Sequence, residues 1–296
     1  LQYSYLTAKP RFKIPSDKLT KPLGFFAFRR SYLQAQWTCI VLAGQRPGPD
    51  VFAQHFGLER KALVPVSDEP MISHVVRTLH RSPHIGKIII LSQDVEKLRA
   101  AVDAVGGAIL VESQSSISLS IKGQVDTLGF ASPLLVTTAD HPLLTVEMID
   151  QFVGTADGDV AIGMVERKTM LKQFPDAKRT WLRFSDGAWS GANLFALMST
   201  KSIFALELWA DAEQDRKKAW RLFLHFGLRL AARALTRTIG LHQALDAAGK
   251  RLGLEAKLVP MTDPVAAIDV DKLADHMLAE KILAQRAAQA GDIQAA

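Results

Sequence analysis

The residues with the strongest chemical character fall in three short stretches far apart in the chain. Gly44-Gln45-Arg46-Pro47-Gly48 follows an apolar run, with Lys61 beside a second apolar run further on. Thr137-Thr138-Ala139-Asp140-His141-Pro142 places a carboxylate immediately after another apolar run, and Ile268-Asp269-Val270-Asp271 adds two more. A glycine-containing loop lets backbone N–H groups approach an anion closely, and Arg46 and Lys61 supply charge of the opposite sign. Carboxylates from distant sequence can hold a divalent cation against substrate phosphates, as Mg²⁺ commonly requires. Taken singly, each stretch has a plainer reading. Asp140 could open a turn, Asp271 could cap the last helix, and His141 would orient its loop.

These residues need a scaffold that brings three loops to one place, and the chain carries such a pattern. Apolar runs at Thr38–Ala43, Lys87–Leu91, Ala108–Val111, Leu134–Thr137 and Val160–Val165 read as strands. Between them, Met71–Arg81, Asp94–Val105, Ser116–Leu128 and Thr145–Phe152 read as helices. Alternation with short connections predicts an α/β fold with a Rossmann-like, mostly parallel sheet. Such sheets collect ligands at the carboxyl ends of their strands, where all three stretches fall. After Val165 the rhythm changes. Trp181–Phe184 and Trp189 frame an Asp186-Gly187 hairpin turn, and residues 200–251 read as a mostly helical C-terminal insertion. A strand at Lys257–Val259 and a helix ending near Ala288 complete the pattern.

Composition narrows the function. The chain has 296 residues, a formal net charge of +6 and one cysteine, Cys39, inside the first apolar run. Cys39 therefore reads as core, and a lone cysteine fits a reducing compartment. The excess of base belongs to residues 1–36, leaving the rest of the chain neutral. That argues against a nucleic-acid-binding fold. Residues 1–36 are expected to be a basic N-terminal extension outside the fold, either disordered or an extended start. Residues 37–288 are expected to be one domain and 289–296 a tail. No apolar stretch approaches the roughly 18 residues that a membrane span needs, and a cytoplasmic location is expected. No G-x-x-x-x-G-K-[ST], G-x-G-x-x-G after a strand, G-x-S-x-G or paired Cys/His metal spacing occurs.

As a set, L-A-G-Q-R-P-G (42–48), K-A-L-V-P-V (61–66), P-M-I-S-H-V-V (70–76), L-L-V-T-T-A-D-H-P-L-L (134–144) and D-V-D (269–271) resembles the MobA-like nucleotidyltransferases over roughly residues 37–285. That family includes molybdenum-cofactor guanylyl- and cytidylyltransferases and enzymes acting on sugar and alcohol phosphates. The resemblance implies a nucleotide-diphospho-sugar transferase fold. It implies Mg²⁺-dependent transfer of a nucleoside monophosphate from an NTP to a phosphorylated small-molecule acceptor, with release of pyrophosphate. By position, Leu42, Ala43, Gly44 and Gly48 would bind the nucleotide, Arg46 the triphosphate and Lys61 the α-phosphate region. Asp140 would be the first metal ligand, and Asp271 or Asp269 the second. Asn193 and Arg179 would face the acceptor.

Two features depart from the family pattern. Gln45 and Pro47 stand where the loop usually has a second glycine and a Ser/Thr, and Lys272-Leu273-Ala274-Asp275 replaces a Pro-Glu-Asp-like helix start. A metal-dependent glycosyltransferase on the same fold is the rival class, but such enzymes carry Asp-x-Asp where this chain has Asp140-His141-Pro142. The segment from Asp211 to Arg237 sets Trp220, Phe223, Leu224 and Leu228 beside dense base. It is expected to cover the sheet, or else to touch an anionic membrane surface or a membrane-bound enzyme.

Overall fold

The computed structural model describes residues 36–45, 48–114, 116–129, 132–207 and 227–295. The expected amphipathic segment at 211–237 lies outside them as far as residue 226, as do the expected extension up to residue 35 and Arg46.

Strand β1 (Trp37–Leu42) is followed by helix α1 (Val51–His55), a 3-10 turn (Lys61–Leu63) and a two-stranded hairpin, β2 (Pro65–Val66) and β3 (Glu69–Pro70). Then come α2 (Met71–Arg81), β4 (Ile85–Ser92), α3 (Val95–Asp103), β5 (Ile109–Glu112) and α4 (Ile117–Leu128). Strand β6 (Leu134–Thr138), α5 (Val146–Thr155), β7 (Val160–Glu166) and α6 (Arg167–Gln173) continue the alternation. The hairpin β8 (Leu182–Phe184) and β9 (Gly187–Leu197) leads on to α7 (Leu228–Leu235), α8 (Leu241–Leu252) and β10 (Ala256–Pro260). A second 3-10 turn (Pro264–Ala267) precedes the last helix, α9 (Leu273–Ala295).

The main sheet runs β10-β7-β9-β6-β1-β4-β5, with β8 added beside β9. Strands β5, β4, β1 and β6 are mutually parallel, as are β7 and β10, while β9 is antiparallel to both β6 and β7. Period-2 alternation sorts the apolar side chains into two buried layers. Cys39, Val41, Ile88, Ile90 and Leu135 face the layer covered by α2, α3, α5, α6 and α9. Ile40, Ile89, Leu91, Leu134 and Val136 face the layer that holds Ile121 and Val125 of α4. A strand buried on both faces must be apolar at every position, which is why these runs are continuous in sequence. Cys39 is wholly buried, and burial pushes its thiol pKa up, so it packs rather than reacts.

Two short devices shape the neighbourhood of the site. Ser67 and Asp68 form the β2–β3 turn with φ of 50° and 65°, the sense that a two-residue hairpin demands. The Ser67 N–H donates to Glu280 Oε1 on α9 at 2.8 Å, and His276 Nε2 lies 2.7 Å from the Pro65 carbonyl. The last helix is thereby tied to the hairpin that follows Lys61. In the other hairpin, Asp186 of the β8–β9 turn also accepts the Leu241 N–H at the start of α8.

At the foot of β7, Asp159 joins three segments. It accepts Ser199 Oγ and the Glu255 N–H (2.8 Å), and it lies 3.7 Å from Lys201 Nζ. Burial opposes its ionisation, but these partners outweigh burial and hold the carboxyl below the usual aspartate range. A depressed folded pKa adds stability above the unfolded value of about 4, and that stability is lost as pH falls through the folded value. Asp159→Asn should cost about 1–3 kcal/mol at pH 7. The gap to the parent should close as pH drops below about 4. Urea midpoints from pH 7 to pH 2.5 check this; a gap that does not change with pH overturns it.

Candidate functional site

The site is built where β1 and β6 end side by side. Leu42 pairs with Thr138 in parallel register, and the Ala139 N–H donates to the Leu42 carbonyl at 2.9 Å. The loop after β1 and the loop carrying Asp140 therefore leave the sheet from adjacent positions. The third stretch arrives from the far end of the chain, where the 3-10 turn at Pro264–Ala267 is capped by Asp263 and buried against β7 and β9. Its position is fixed by a backbone bond from Val270 N–H to the Asp140 carbonyl, 2.9 Å. One carboxylate oxygen each from Asp140, Asp269 and Asp271 then lie within 4.8 Å of one another.

Two cations balance this trio. Lys61 Nζ donates to Asp140 Oδ2 at 2.6 Å and also to Asp271 Oδ1. Burial works to lower the lysine pKa, but the two carboxylates outweigh it and hold the pKa above the ordinary lysine value. Arg179 donates to Asp269 Oδ1 and reaches Asp275 Oδ1 at 3.4 Å. Asn193 Nδ2 adds a bond to Asp269 Oδ2 at 3.4 Å. Asn193 has φ of 50°, and it falls where the β7–β9 register shifts, so a bulge in β9 turns its amide toward the aspartate.

The sequence reading expects Arg179 and Asn193 to face an acceptor. In the structure both engage Asp269, so they set the orientation of the acidic loop. Asp275, read from sequence only as part of an unusual helix start, is buried and accepts both Arg179 and the Asp271 N–H (3.3 Å). The signal available was a carboxylate four residues after Asp271, in the first turn of a helix.

On the loop side, Gln45 and Gln93 exchange two hydrogen bonds: Gln45 N–H to Gln93 Oε1 and Gln93 Nε2 to the Gln45 carbonyl, each 3.0 Å. The Gln45 side chain also accepts the Lys61 N–H at 3.4 Å. A Cβ on Gly44 would stand 3.0 Å from the Gln93 amide, so glycine there leaves room for the pairing. Gly48, at φ +98°, takes a conformation that favours glycine. The Ala43 N–H donates to the Leu91 carbonyl at 2.8 Å, which holds the start of the loop to β4. A cleft of about 550 Å³ opens beside this loop, lined among others by Gln45, Gly48, Asp50, Arg60 and Gln93. Gln93 was missed in sequence because nothing there marks a lone glutamine after a strand as a partner of Gln45.

The trio suits a hard divalent cation, because all its donors are carboxylate oxygens. Asp140 Oδ1 is buried and takes no hydrogen bond among the described residues. That orphaned acceptor is the observation that best fits a cation ligand. His141, next in sequence, is 1% exposed, and burial lowers its pKa to about 4, so it is neutral at pH 7 and unsuited to neutralising phosphate.

Comparison with known proteins agrees with this fold. The family model described as "MobA-like NTP transferase domain" matches residues 39–236. A 3-deoxy-manno-octulosonate cytidylyltransferase of Geotalea daltonii is 26% identical over 173 residues, covering 57% of this chain and 68% of that protein. Among solved structures, a hypothetical transferase from Thermus thermophilus superposes with a TM-score of 0.69 at 24% identity, over 81% of this chain and 99% of its own. The 4-diphosphocytidyl-2C-methyl-D-erythritol synthase of Anaerococcus prevotii gives 0.51 at 12% identity, over 84% and 98%. At these identities the structures speak for a shared fold, the nucleotide-diphospho-sugar transferase fold expected from sequence.

The Arg179–Asp269 pair yields a stability test. Arg179→Leu leaves Asp269 and Asp275 without their cation in a mostly buried setting and should cost about 2–3 kcal/mol, somewhat below the cost of breaking a fully buried pair. In an Asp269→Asn background the same change should cost at least about 1 kcal/mol less. A double-mutant cycle by chemical denaturation measures this, and additive effects would show that the pair is not coupled.

Proposed function

The chain belongs to the MobA-like NTP transferase family and is a nucleotidyltransferase; from that premise we propose a metal-dependent transfer of the NMP moiety of an NTP to a phosphorylated small molecule, releasing pyrophosphate. The observation that carries this reading is the convergence of Asp140, Asp269 and Asp271 with Lys61 at the carboxyl end of β1 and β6. A Mg²⁺ ion held by Asp140 and Asp271, with Asp269 as the third carboxylate, would supply positive charge at the polyphosphate.

This chain's own groups do the rest. An acceptor phosphate oxygen attacks the α-phosphorus in line, and the bond from that phosphorus to the bridging oxygen breaks as pyrophosphate leaves. An acceptor phosphate is already ionised near neutral pH, so the step needs no general base. The catalytic demand is placement and charge. Lys61 lies within reach of the carboxylates and would neutralise the α-phosphate. Arg46, by its position in the loop, would take the β- and γ-phosphates, and the backbone at Leu42, Ala43, Gly44 and Gly48 would line the nucleoside. The cytidylyltransferase relative makes CTP the first nucleotide to try and 3-deoxy-manno-octulosonate a non-phosphorylated acceptor worth including.

The test incubates the full chain with each NTP, Mg²⁺ and pyrophosphatase, and screens phosphorylated acceptors and the octulosonate for phosphate release. One NTP–acceptor pair should give turnover, and release without any acceptor would instead indicate hydrolysis. Asp140→Asn should lower turnover about 10³-fold, equivalent to roughly 4 kcal/mol of transition-state stabilisation, with little change in thermal unfolding. Turnover near the parent rate in a folded Asp140→Asn protein removes Asp140 from the mechanism.

A further inference from the structure

The Lys61 ammonium sits against two of the three carboxylates that could hold a cation. It bonds Asp140 Oδ2 at 2.6 Å and Asp271 Oδ1 at once, and these two residues are members of the acidic trio. With Arg179 on Asp269 and Lys61 on the other two, the trio carries a formal charge of about −1, against −3 for the bare carboxylates. A doubly charged ion held by this trio, on the free Asp140 Oδ1 for instance, would stand close to the ammonium on Asp140 Oδ2 and Asp271 Oδ1, and the two repel strongly. Lys61 starts a three-residue turn, and its N–H donates to the Gln45 side chain by a long bond of 3.4 Å.

Resting on the metal-dependent reading above, we propose that Lys61 is an internal counter-ion that a divalent cation must displace, and that the displaced ammonium passes to the substrate polyphosphate. Metal alone then binds weakly, because it has to expel a lysine into water. When a polyphosphate is present the lysine exchanges one set of anionic oxygens for another, so cation and nucleotide each favour the binding of the other. The arrangement couples two events. Lys61 reaches the phosphates only when the cation has taken its place, so the charge that stabilises the transition state is assembled in one step.

Two readouts that do not depend on activity test this. Mn²⁺ titrated alone into the full chain, followed by electron paramagnetic resonance of the free ion, should bind Lys61→Met at least ten-fold more tightly than the parent. Equal or weaker binding by a folded Lys61→Met overturns the proposal. Amine acetylation of the parent protein, read at Lys61 by peptide mass spectrometry, should accelerate several-fold as Mg²⁺ is raised, and slow again when inorganic tripolyphosphate is added with Mg²⁺ kept in excess. This second readout needs no variant, so it decides the matter if Lys61→Met fails to fold. A labelling rate that ignores Mg²⁺ overturns displacement, and a rate that ignores tripolyphosphate overturns the transfer to phosphate. If neither the parent nor Lys61→Met binds Mn²⁺ at millimolar concentration, the metal-dependent reading itself falls, a result distinct from equal binding by both.

Discussion

Three carboxylates held within 4.8 Å are the constraint from which the rest of this structure follows. Like charges at that separation in a partly buried setting repel by several kcal/mol, with an effective dielectric of about 20. The fold must therefore bring cations to the same place, and it does so from opposite directions. Lys61 comes from the N-terminal side after β1, and Arg179 comes from the segment between α6 and β8. Neither cation is a surface ion pair that water could replace at small cost. Both side chains are largely buried, so the loss of either leaves charge without compensation.

The sheet exists, from the site's point of view, to align these loops. Parallel register between β1 and β6 sets the first loop beside Asp140, and one backbone bond from Val270 sets the last loop beside both. The antiparallel strand β9 serves a different end. Running against β6 and β7, it carries Asn193 past the acidic loop, and its irregular register turns that residue's amide onto Asp269. A regular strand would send alternate side chains straight up and down and could not aim one along the loop.

Much of this was legible in the sequence because two-sided burial forces continuous apolar runs. Strands β1, β4, β6 and β7 announce themselves in that way, and Asp140 follows one of them directly. The acidic trio was legible as three stretches in search of one location. The partners were not. A lysine near an apolar run can face a phosphate or a carboxylate equally well, and only the tertiary structure shows Lys61 on Asp140 and Asp271. The β2–β3 hairpin escaped notice because strands of two residues have no period to detect, and its turn uses Ser67-Asp68 rather than a glycine. The bulge at Asn193 was hidden for a similar reason: the backbone irregularity comes from pairing with β7, a neighbour that the local sequence does not specify.

The bond between Lys61 and Asp271 spans 210 positions of the chain, and the hairpin after Lys61 is held by Glu280, 213 positions beyond Ser67. Contacts so distant in sequence form only after the intervening chain has been ordered, because closing a long loop costs entropy before it gains contacts. A chain still being synthesised can pair β1, β4 and β6 while the Asp269–Asp271 loop has not yet been made. Until that loop is made, Asp140 lacks its acidic companions and Lys61 lacks its second carboxylate. The acidic trio is thus assembled only after the chain has been made at least as far as Asp271.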